Sequence, residues 1–295
     1  MTVLGAVALP SLPPERLTAV AAAADEAGLA ELWLWEDCFW AGGVAAAGLA
    51  LATTRRLRVG VGVFPAPLRA APLLAMELAA LERAAPGRLL PAVGHGVQDW
   101  MGQVGVRAAS PLTLLREYTA ALRALLAGEE VSTPDNRYVR LDRVRLAWPP
   151  QAPPPLHIGT EGPKSLTLSG ELADGTVLTG GTTPDGVRAA REHVERGRWA
   201  AGRPRPHRIT VYLRAATGPD AAERLKADAP YWRLQQNDDT GVAGDASTVA
   251  AAVRRWADAG ADAVILQPTA DDPDPEGFVR FAGAEVAPLL APAST

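Results

Sequence analysis

Three segments of this 295-residue chain repeat one pattern, in which a predicted helix ends at a glycine and a short apolar strand follows. The three pairs are Asp25–Gly28 before Leu32–Trp35, Glu171–Gly175 before Val177–Leu178, and Asp258–Ala261 before Val264–Leu266. Glycine at a helix C-terminus adopts positive φ at little cost. Apolar strands that alternate with helices are typical of parallel strands buried on both faces. The pattern therefore predicts repeated β/α units.

The same alternation along the whole chain gives eight candidate strands. They are Val3–Leu9, Leu32–Trp35, Arg58–Val63, Leu89–Val93, Leu156–Ile158, Thr176–Thr179, Ile209–Ala215 and Ala263–Gln267. With seven intervening helices and a final helix over Glu276–Leu290, they predict one domain, a (β/α)8 TIM barrel spanning residues 1–295. A doubly wound open sheet is the alternative fold.

The regular alternation of strands and helices is interrupted twice. Near residues 129–155, Tyr138–Leu141 and Val144–Ala147 alternate with period two, which predicts a small hairpin insertion. Near residues 216–244, a long polar segment predicts a loop that acts as a lid.

Composition and charge exclude several classes of function. A net charge of −4 offers no basic surface for nucleic acid. A single cysteine, Cys38, excludes an internal disulfide and favours a reducing cytosol. No secretion signal and no apolar run of membrane-spanning length is evident, so we expect a cytoplasmic protein without membrane contact. The four histidines share no metal-ligand spacing, so no metal site is expected.

The segment after the fifth predicted strand has the features of a phosphate site. Gly159-Thr160-Glu161-Gly162 leads into a helix with Pro163 at its first position. A helix N-terminus presents free N–H groups and a positive dipole end, which suit an anion. Lys164 opposes that dipole, which favours a bound anion nearby. The alternative is an ordinary turn that needs glycine only for its geometry.

Two carboxylates follow the second predicted strand, where barrel enzymes place catalytic groups. Glu36 and Asp37 are adjacent, so only one of them points into the barrel mouth. The aromatic neighbours Trp35, Phe39 and Trp40 would desolvate that carboxylate and raise its pKa into the range useful for acid–base catalysis. The alternative roles are helix capping and pairing with an arginine.

A histidine and three further polar or aromatic residues complete the candidates. His95 stands between Gly94 and Gly96 at the end of the fourth strand, where the glycines leave room for a ligand and the imidazole can relay a proton. A structural histidine is the alternative. Trp40, Gln98 and Trp100 are candidates for the wall of a substrate pocket.

The order and spacing of several short motifs resemble one known family. The motifs are Thr54–Gly60, Arg69 with Pro72, Pro86–Leu90 with Val93–Gly96, Gly162-Pro163, Ala173–Gly175 and Ala259–Ala261. Together they resemble the bacterial luciferase-like family of flavin- and coenzyme F420-dependent oxidoreductases, from about Leu4 to Leu290.

The resemblance implies a coenzyme F420 or FMN bound at the barrel mouth, with its phosphate on Gly159–Pro163 and with Thr179 and Gly180 alongside. It also implies a non-prolyl cis peptide bond behind the ring, which falls on Gly62–Val63, and a homodimer in many relatives. The predicted function is hydride transfer between coenzyme F420 and a small organic substrate. The alternatives are a reduced-FMN-dependent monooxygenase and a barrel that binds a flavin without catalysis.

Three positions depart from the family pattern. Many relatives have Asp-His where this chain has Glu36-Asp37, and F420-dependent relatives commonly have a carboxylate where this chain has Val97. The position of Glu161 is usually occupied by a small residue, and a carboxylate there repels phosphate unless its side chain turns away.

Overall fold

Nine parallel strands form the centre of the molecule, and eight of them are the predicted strands. The structure is a computed structural model that describes residues 2–203, 206–230 and 239–291. The strands are β1 Val3–Ala8, β2 Glu31–Leu34, β3 Arg58–Pro65, β4 Leu89–Gly94, β5 His157–Gly159, β6 Gly175–Leu178, β7 Arg208–Ala216, β8 Gly241–Ala243 and β9 Ala263–Gln267.

Pairing on both sides of β7 closes the sheet into a barrel. Its residues Thr210–Arg214 pair with β9, and its first four residues pair with β6. Since β9 also pairs with β1, the ring is complete. The open-sheet alternative is therefore wrong. The short β8 pairs with the end of β7 at Arg214–Ala216, beyond the residues that pair with β6, and was not predicted.

Helices alternate with the strands around the outside of the barrel. They are α1 Leu17–Glu26, α2 Gly43–Thr53, α3 Ala71–Ala84, α4 Gln98–Gln103, α5 Pro111–Leu126, α6 Pro163–Leu172, α7 Pro184–Ala200, α8 Ala221–Asp228, α9 Ala246–Asp258, α10 Pro275–Arg280 and α11 Ala287–Leu290. A π-helical turn, Phe281–Val286, joins the last two, so the predicted C-terminal helix is present but irregular.

The repeated glycines do not all serve the predicted purpose. Gly28 and Gly260 follow α1 and α9 with φ of +74° and +109°, as a helix C-terminus favours. Gly175 instead begins β6, where a Cβ would lie 2.3 Å from Cδ2 of His157. This glycine makes room for a buried histidine in the neighbouring strand.

The barrel interior is filled by a few large side chains packed against glycine and alanine. Trp33, Tyr212, Ile265 and their neighbours form a cluster inside the ring. Trp33 is fully buried, and a Cβ on Gly60 would lie 2.3 Å from its indole ring. The aromatic content of 5% is thus sufficient to fill the barrel interior.

Both predicted insertions are present, but their structures differ from the predictions. In residues 129–155, Val131 pairs with Val144 in an isolated antiparallel bridge, so the two predicted hairpin strands do not pair with each other. In residues 216–244, the chain forms α8 and β8 rather than one long loop. The candidate lid residues 231–238 lie outside the described residues.

No helix in the described part of the chain is long and apolar enough to cross a membrane.

Candidate active site

A cavity of about 820 Å³ opens at the C-terminal ends of the barrel strands. One end of it is lined by residues after β2, in β3 and in β7, including Asp37, Gly62 and Tyr212. The other end reaches the first turns of α6 and α7, at Pro163 and Thr183. The cavity therefore joins the centre of the barrel to two helix N-termini.

Asp37 is the predicted acid–base residue that lines this cavity. The backbone turns after β2, where the Trp40 N–H donates to the Asp37 carbonyl at 2.9 Å, and Asp37 lines the cavity together with Trp35. Burial raises the pKa of Asp37 from 3.8 to about 6. Its side chain forms no hydrogen bond or ion pair with any described residue. The geometry thus leaves this carboxyl group free to exchange a proton near neutral pH.

Glu36 does not line the cavity, because it is held in a buried ion pair. Arg69 donates to both of its carboxylate oxygens, with Nη1 at 2.6 Å from Oε2. Arg69 also approaches Glu77 at 3.6 Å and stacks over Phe64. This is the arginine-pairing alternative considered above. The ion pair joins the loop after β2 to the loop after β3, and Asp37 is the carboxylate that faces the cavity.

The bond between Gly62 and Val63 is cis, as the resemblance implied, and a second cis bond joins Cys38 and Phe39. Gly62 lines the cavity, and a Cβ there would lie 2.2 Å from the Tyr212 hydroxyl. That hydroxyl donates to the Gly62 carbonyl at 3.4 Å across the barrel. Glycine at this position is required by the tyrosine on the opposite strand.

Two of the predicted ligand glycines instead make room for the Val63 side chain. A Cβ on Gly159 would lie 2.2 Å from Val63 Cγ1, and a Cβ on Gly94 would lie 2.8 Å from Cγ2. Neither glycine lines the cavity among the described residues. The structure thus gives both glycines a packing role, and their role in binding a ligand stays a prediction.

The N-terminus of α6 is open at the position predicted for phosphate. Gly162 occupies the N-cap position with φ of −76°, and no side chain caps the helix. The Thr160 hydroxyl bonds to Ser165, whose own hydroxyl donates to the Gly162 carbonyl at 3.0 Å. By contrast, the N-terminus of α7 is capped, because Thr183 accepts from the Gly186 N–H. No side-chain cap uses the N–H groups at the start of α6, whereas the cap of α7 uses the Gly186 N–H, so the α6 N-terminus is the more open of the two to an anion.

Glu161 and Lys164 flank this N-terminus and do not form an ion pair with each other. Glu161 lines the cavity, and its carboxylate accepts a hydrogen bond from the Thr179 hydroxyl. That bond joins the loops after β5 and β6 and turns the carboxylate toward β6. Lys164 is exposed and does not line the cavity.

The helices α6 and α7 pack closely along the outer wall of the cavity. A Cβ on Gly170 would lie 2.0 Å from the Val194 carbonyl oxygen, and one on Gly197 would lie 2.0 Å from that of Thr167. This close approach brings His193 of α7 into the cavity wall, although its sequence context gave no indication of a role. Its buried Nδ1 has no hydrogen-bond partner among the described residues.

The residues predicted after β4, together with Trp40, lie outside this cavity. His95 Nδ1 lies 3.0 Å from the Gly96 carbonyl oxygen, and Gln98 donates to the His95 and Gly96 carbonyls. Trp100 is half-buried, and Trp40 is 57% exposed. The structure does not bring these residues together with Asp37, and their roles stay predictions.

Sequence reasoning did not identify Tyr212 and Gln267, which both line the cavity. Tyr212 lies within an apolar strand, where nothing local distinguishes it from a core aromatic residue. Gln267 is the last residue of β9 and the polar end of an otherwise apolar strand. The rule that barrel enzymes place functional groups at strand C-termini would have identified it.

Two further sequence predictions concern residues away from the chemistry. His157 is 1% exposed and packs edge-on against Trp33, and burial lowers its pKa to about 4. It is a core residue, as predicted. Burial and the neighbouring carboxylates of Glu36 and Asp37 raise the pKa of the Cys38 thiol, so this cysteine is a poor nucleophile.

Several curated proteins are similar to this chain in sequence. A 5,10-methylenetetrahydromethanopterin reductase of Methanolobus tindarius is 28% identical over 220 residues, which cover 74% of this chain and 67% of the reductase. The chain covers 32% to 50% of five further curated relatives.

Solved structures confirm the fold. An F420-dependent secondary alcohol dehydrogenase, in complex with an F420–acetone adduct, superposes with a TM-score of 0.89 at 20% identity and 99% coverage of both chains. The oxygenating constituent of 3,6-diketocamphane monooxygenase from Pseudomonas putida, in complex with FMN, superposes with a TM-score of 0.81 at 16% identity over 99% of this chain and all of that one. A profile of the luciferase-like monooxygenases matches residues 2–270. The chain belongs to the luciferase-like monooxygenase family.

Proposed function

We propose that this protein transfers a hydride between coenzyme F420 and a small organic substrate in the cavity at the C-terminal end of the barrel. One observation carries the proposal: a single cavity joins an unpaired carboxyl group with a pKa near 6, Asp37, to the uncapped N-terminus of α6. The F420-dependent relatives support the choice of cofactor.

The residues present fit a flat ring that carries a phosphate-bearing side chain. At the inner end, Gly62 and Trp35 line the cavity. At the outer end, the free N–H groups of α6 suit a phosphate, and a Cβ on Gly162 would come only to 3.4 Å from Ser165 Oγ. Glycine at position 162 is thus not required by packing, which supports a role in close approach to a ligand.

When bound, the deazaflavin ring accepts or gives one hydride, since no protein side chain supplies two electrons. Asp37 then handles the proton that accompanies the hydride. For an alcohol substrate, the Asp37 carboxylate would take the hydroxyl proton as the carbon gives up its hydride; for a carbonyl substrate, the protonated carboxyl group would return the proton to the oxygen. Trp35 and the surrounding apolar wall exclude water, which keeps the carboxyl pKa high.

Binding of each cofactor to the purified protein tests the proposal. We expect coenzyme F420 fluorescence to be quenched at micromolar protein, with FMN giving much weaker binding. If FMN binds and F420 does not, the protein is a reduced-FMN-dependent monooxygenase, the alternative that the FMN-containing structural neighbour represents. F420 binding without turnover of any alcohol, ketone, imine or alkene tested would instead support a non-catalytic carrier.

A further inference from the structure

A buried carboxamide without a hydrogen-bond partner lies in the wall of the cavity. Gln267, at the C-terminal end of β9, is 2% exposed and lines the cavity. Its side chain forms no hydrogen bond with any described residue. A Cβ on Gly180 would lie 2.4 Å from its Oε1, so glycine at that position gives the amide its space.

An unpartnered amide does not contribute to folding. Polar side chains in buried positions are usually held by hydrogen bonds to the protein, whereas this one lines the cavity. The carboxamide presents two N–H donors and one acceptor. A ligand in the cavity can satisfy these groups, so the position of Gln267 indicates recognition of a bound molecule.

A second neutral donor lines the same cavity. Burial raises the pKa of Tyr212 well above its usual range, so its hydroxyl stays protonated at all working pH values. Its bond to the Gly62 carbonyl is long, at 3.4 Å, and leaves the hydroxyl able to turn to a better acceptor. Gln267 and Tyr212 therefore both offer hydrogen bonds to an oxygen atom.

The carboxylate of Asp37 disfavours an anionic substrate at the inner end of the cavity. The described lining residues of the cavity include no lysine or arginine, and the second carboxylate, Glu161, lies at the outer end beside α6. Arg214 is the neighbour of Gln267 on β7, but its guanidinium is bonded to Asp228 at 2.9 Å and to the Leu225 carbonyl at 2.6 Å. The bound carboxylate compensates its charge.

We infer that Gln267 binds the oxygen of the substrate, and that the cavity selects small uncharged alcohols or ketones over carboxylates. The two neutral donors suit an uncharged oxygen, whereas the Asp37 carboxylate repels an acid. This inference rests on the proposed function, because it assigns a substrate class to the same cavity. Gln267 is then a specificity-determining residue beside Asp37.

Two probes of one shape test the inference. Binding of cyclohexanone and of cyclohexanecarboxylate is measured by saturation-transfer NMR, with and without coenzyme F420. We expect cyclohexanone to bind at least ~10-fold more tightly than cyclohexanecarboxylate. The variant Gln267→Leu weakens cyclohexanone binding about 10-fold, or about 1.4 kcal/mol, while its affinity for F420 is unchanged.

A stability measurement separates binding from folding. Because the amide has no partner, Gln267→Leu keeps or raises the melting temperature of the ligand-free protein. Gln267→Met provides the same test if leucine does not fit, and Gln151→Leu, on an exposed residue, is the matched control.

Three results would overturn the inference: unchanged cyclohexanone binding in both Gln267 variants, tighter binding of cyclohexanecarboxylate than of cyclohexanone, or a loss of F420 affinity with cyclohexanone affinity unchanged. Failure of the wild-type protein to bind F420 would refute the proposed function instead. The probe series without cofactor still tests the role of Gln267 in that case.

Discussion

Two carboxylates at opposite ends of β2 have opposite surroundings. Glu31, at the N-terminal end, is fully buried and accepts from Arg58 at 2.6 Å, Arg208 at 2.7 Å and Trp33 Nε1 at 3.0 Å. Asp37, beyond the C-terminal end, is half-buried, has no described partner and has a pKa raised to about 6.

The difference teaches how one strand serves both stability and chemistry. Partners at Glu31 fix its charge and join β2 to β3 and β7 at the closed end of the barrel. At the open end, desolvation without a partner keeps the Asp37 proton exchangeable. Barrel enzymes generally separate stability and activity between these two ends. The following predictions test this separation.

The largest expected effect is on turnover. Asp37→Asn keeps the size of the side chain but removes its titration, so we expect turnover with F420 to fall by ~10²–10⁴. Cofactor affinity stays close to wild type, and the melting temperature does not fall. Steady-state kinetics and F420 fluorescence measure the two effects, and His95→Ala is the comparison variant. Loss of activity in His95→Ala, with Asp37→Asn near wild type, would transfer the proton role to His95.

At the N-terminal end of β2 we expect a loss of stability without a loss of turnover. Glu31→Gln leaves Arg58 and Arg208 without their carboxylate, and breaking a buried ion pair costs about 3–5 kcal/mol of folding free energy. Urea unfolding measures the loss, while kcat at a temperature where the variant is folded stays near wild type. Asp99→Asn is the control, since the exposed Asp99–Arg107 pair is expected to contribute little. If Glu31→Gln and Asp99→Asn were equally stable, the ion pairs of Glu31 would not stabilise the barrel.

A third change separates ligand binding from folding within α6. Gly162→Val adds a side chain that the protein can accommodate but that blocks the approach of a phosphate. We therefore expect F420 affinity to fall at least ~10-fold, or ~1.4 kcal/mol. The melting temperature of the ligand-free protein should change little. Gly170→Ala should instead destabilise the protein, because its Cβ would lie 2.0 Å from the Val194 carbonyl oxygen. Equal destabilisation by both variants would mean that Gly162 serves the turn alone.

The smallest effect is on pH dependence. The folded pKa of Asp37, about 6, exceeds its reference value of 3.8, so the native state binds more protons between these pH values. Its contribution to stability is therefore present below about pH 4 and lost as pH rises through 6. The difference in melting temperature between wild type and Asp37→Asn should follow this course, and kcat/KM should show an inflection near pH 6 that the variant lacks. A difference in melting temperature that does not change with pH would show that Asp37 is not desolvated.

Patterns in the sequence were sufficient for the fold, because they are local and repeated. Eight apolar strands between helices predict β/α units, and all eight are present within one or two residues of their predicted bounds. The position of Asp37 followed from the same pattern, since the end of a strand is also the mouth of the barrel. The hairpin was mispredicted because alternation alone does not select a pairing partner, and Val131 lies outside the alternating runs.

The sequence alone determined the barrel, the family resemblance and the location of the mouth, because all three depend on residue order and spacing. Only the tertiary structure decided which carboxylate faces the cavity, since that depends on Arg69, which lies 33 residues from Glu36 along the chain. It likewise decided that Gly159 and Gly94 accommodate Val63, and that Gln267 reaches the cavity without a partner. These properties arise from contacts between strands distant in sequence, where burial and partners set the chemistry of each side chain.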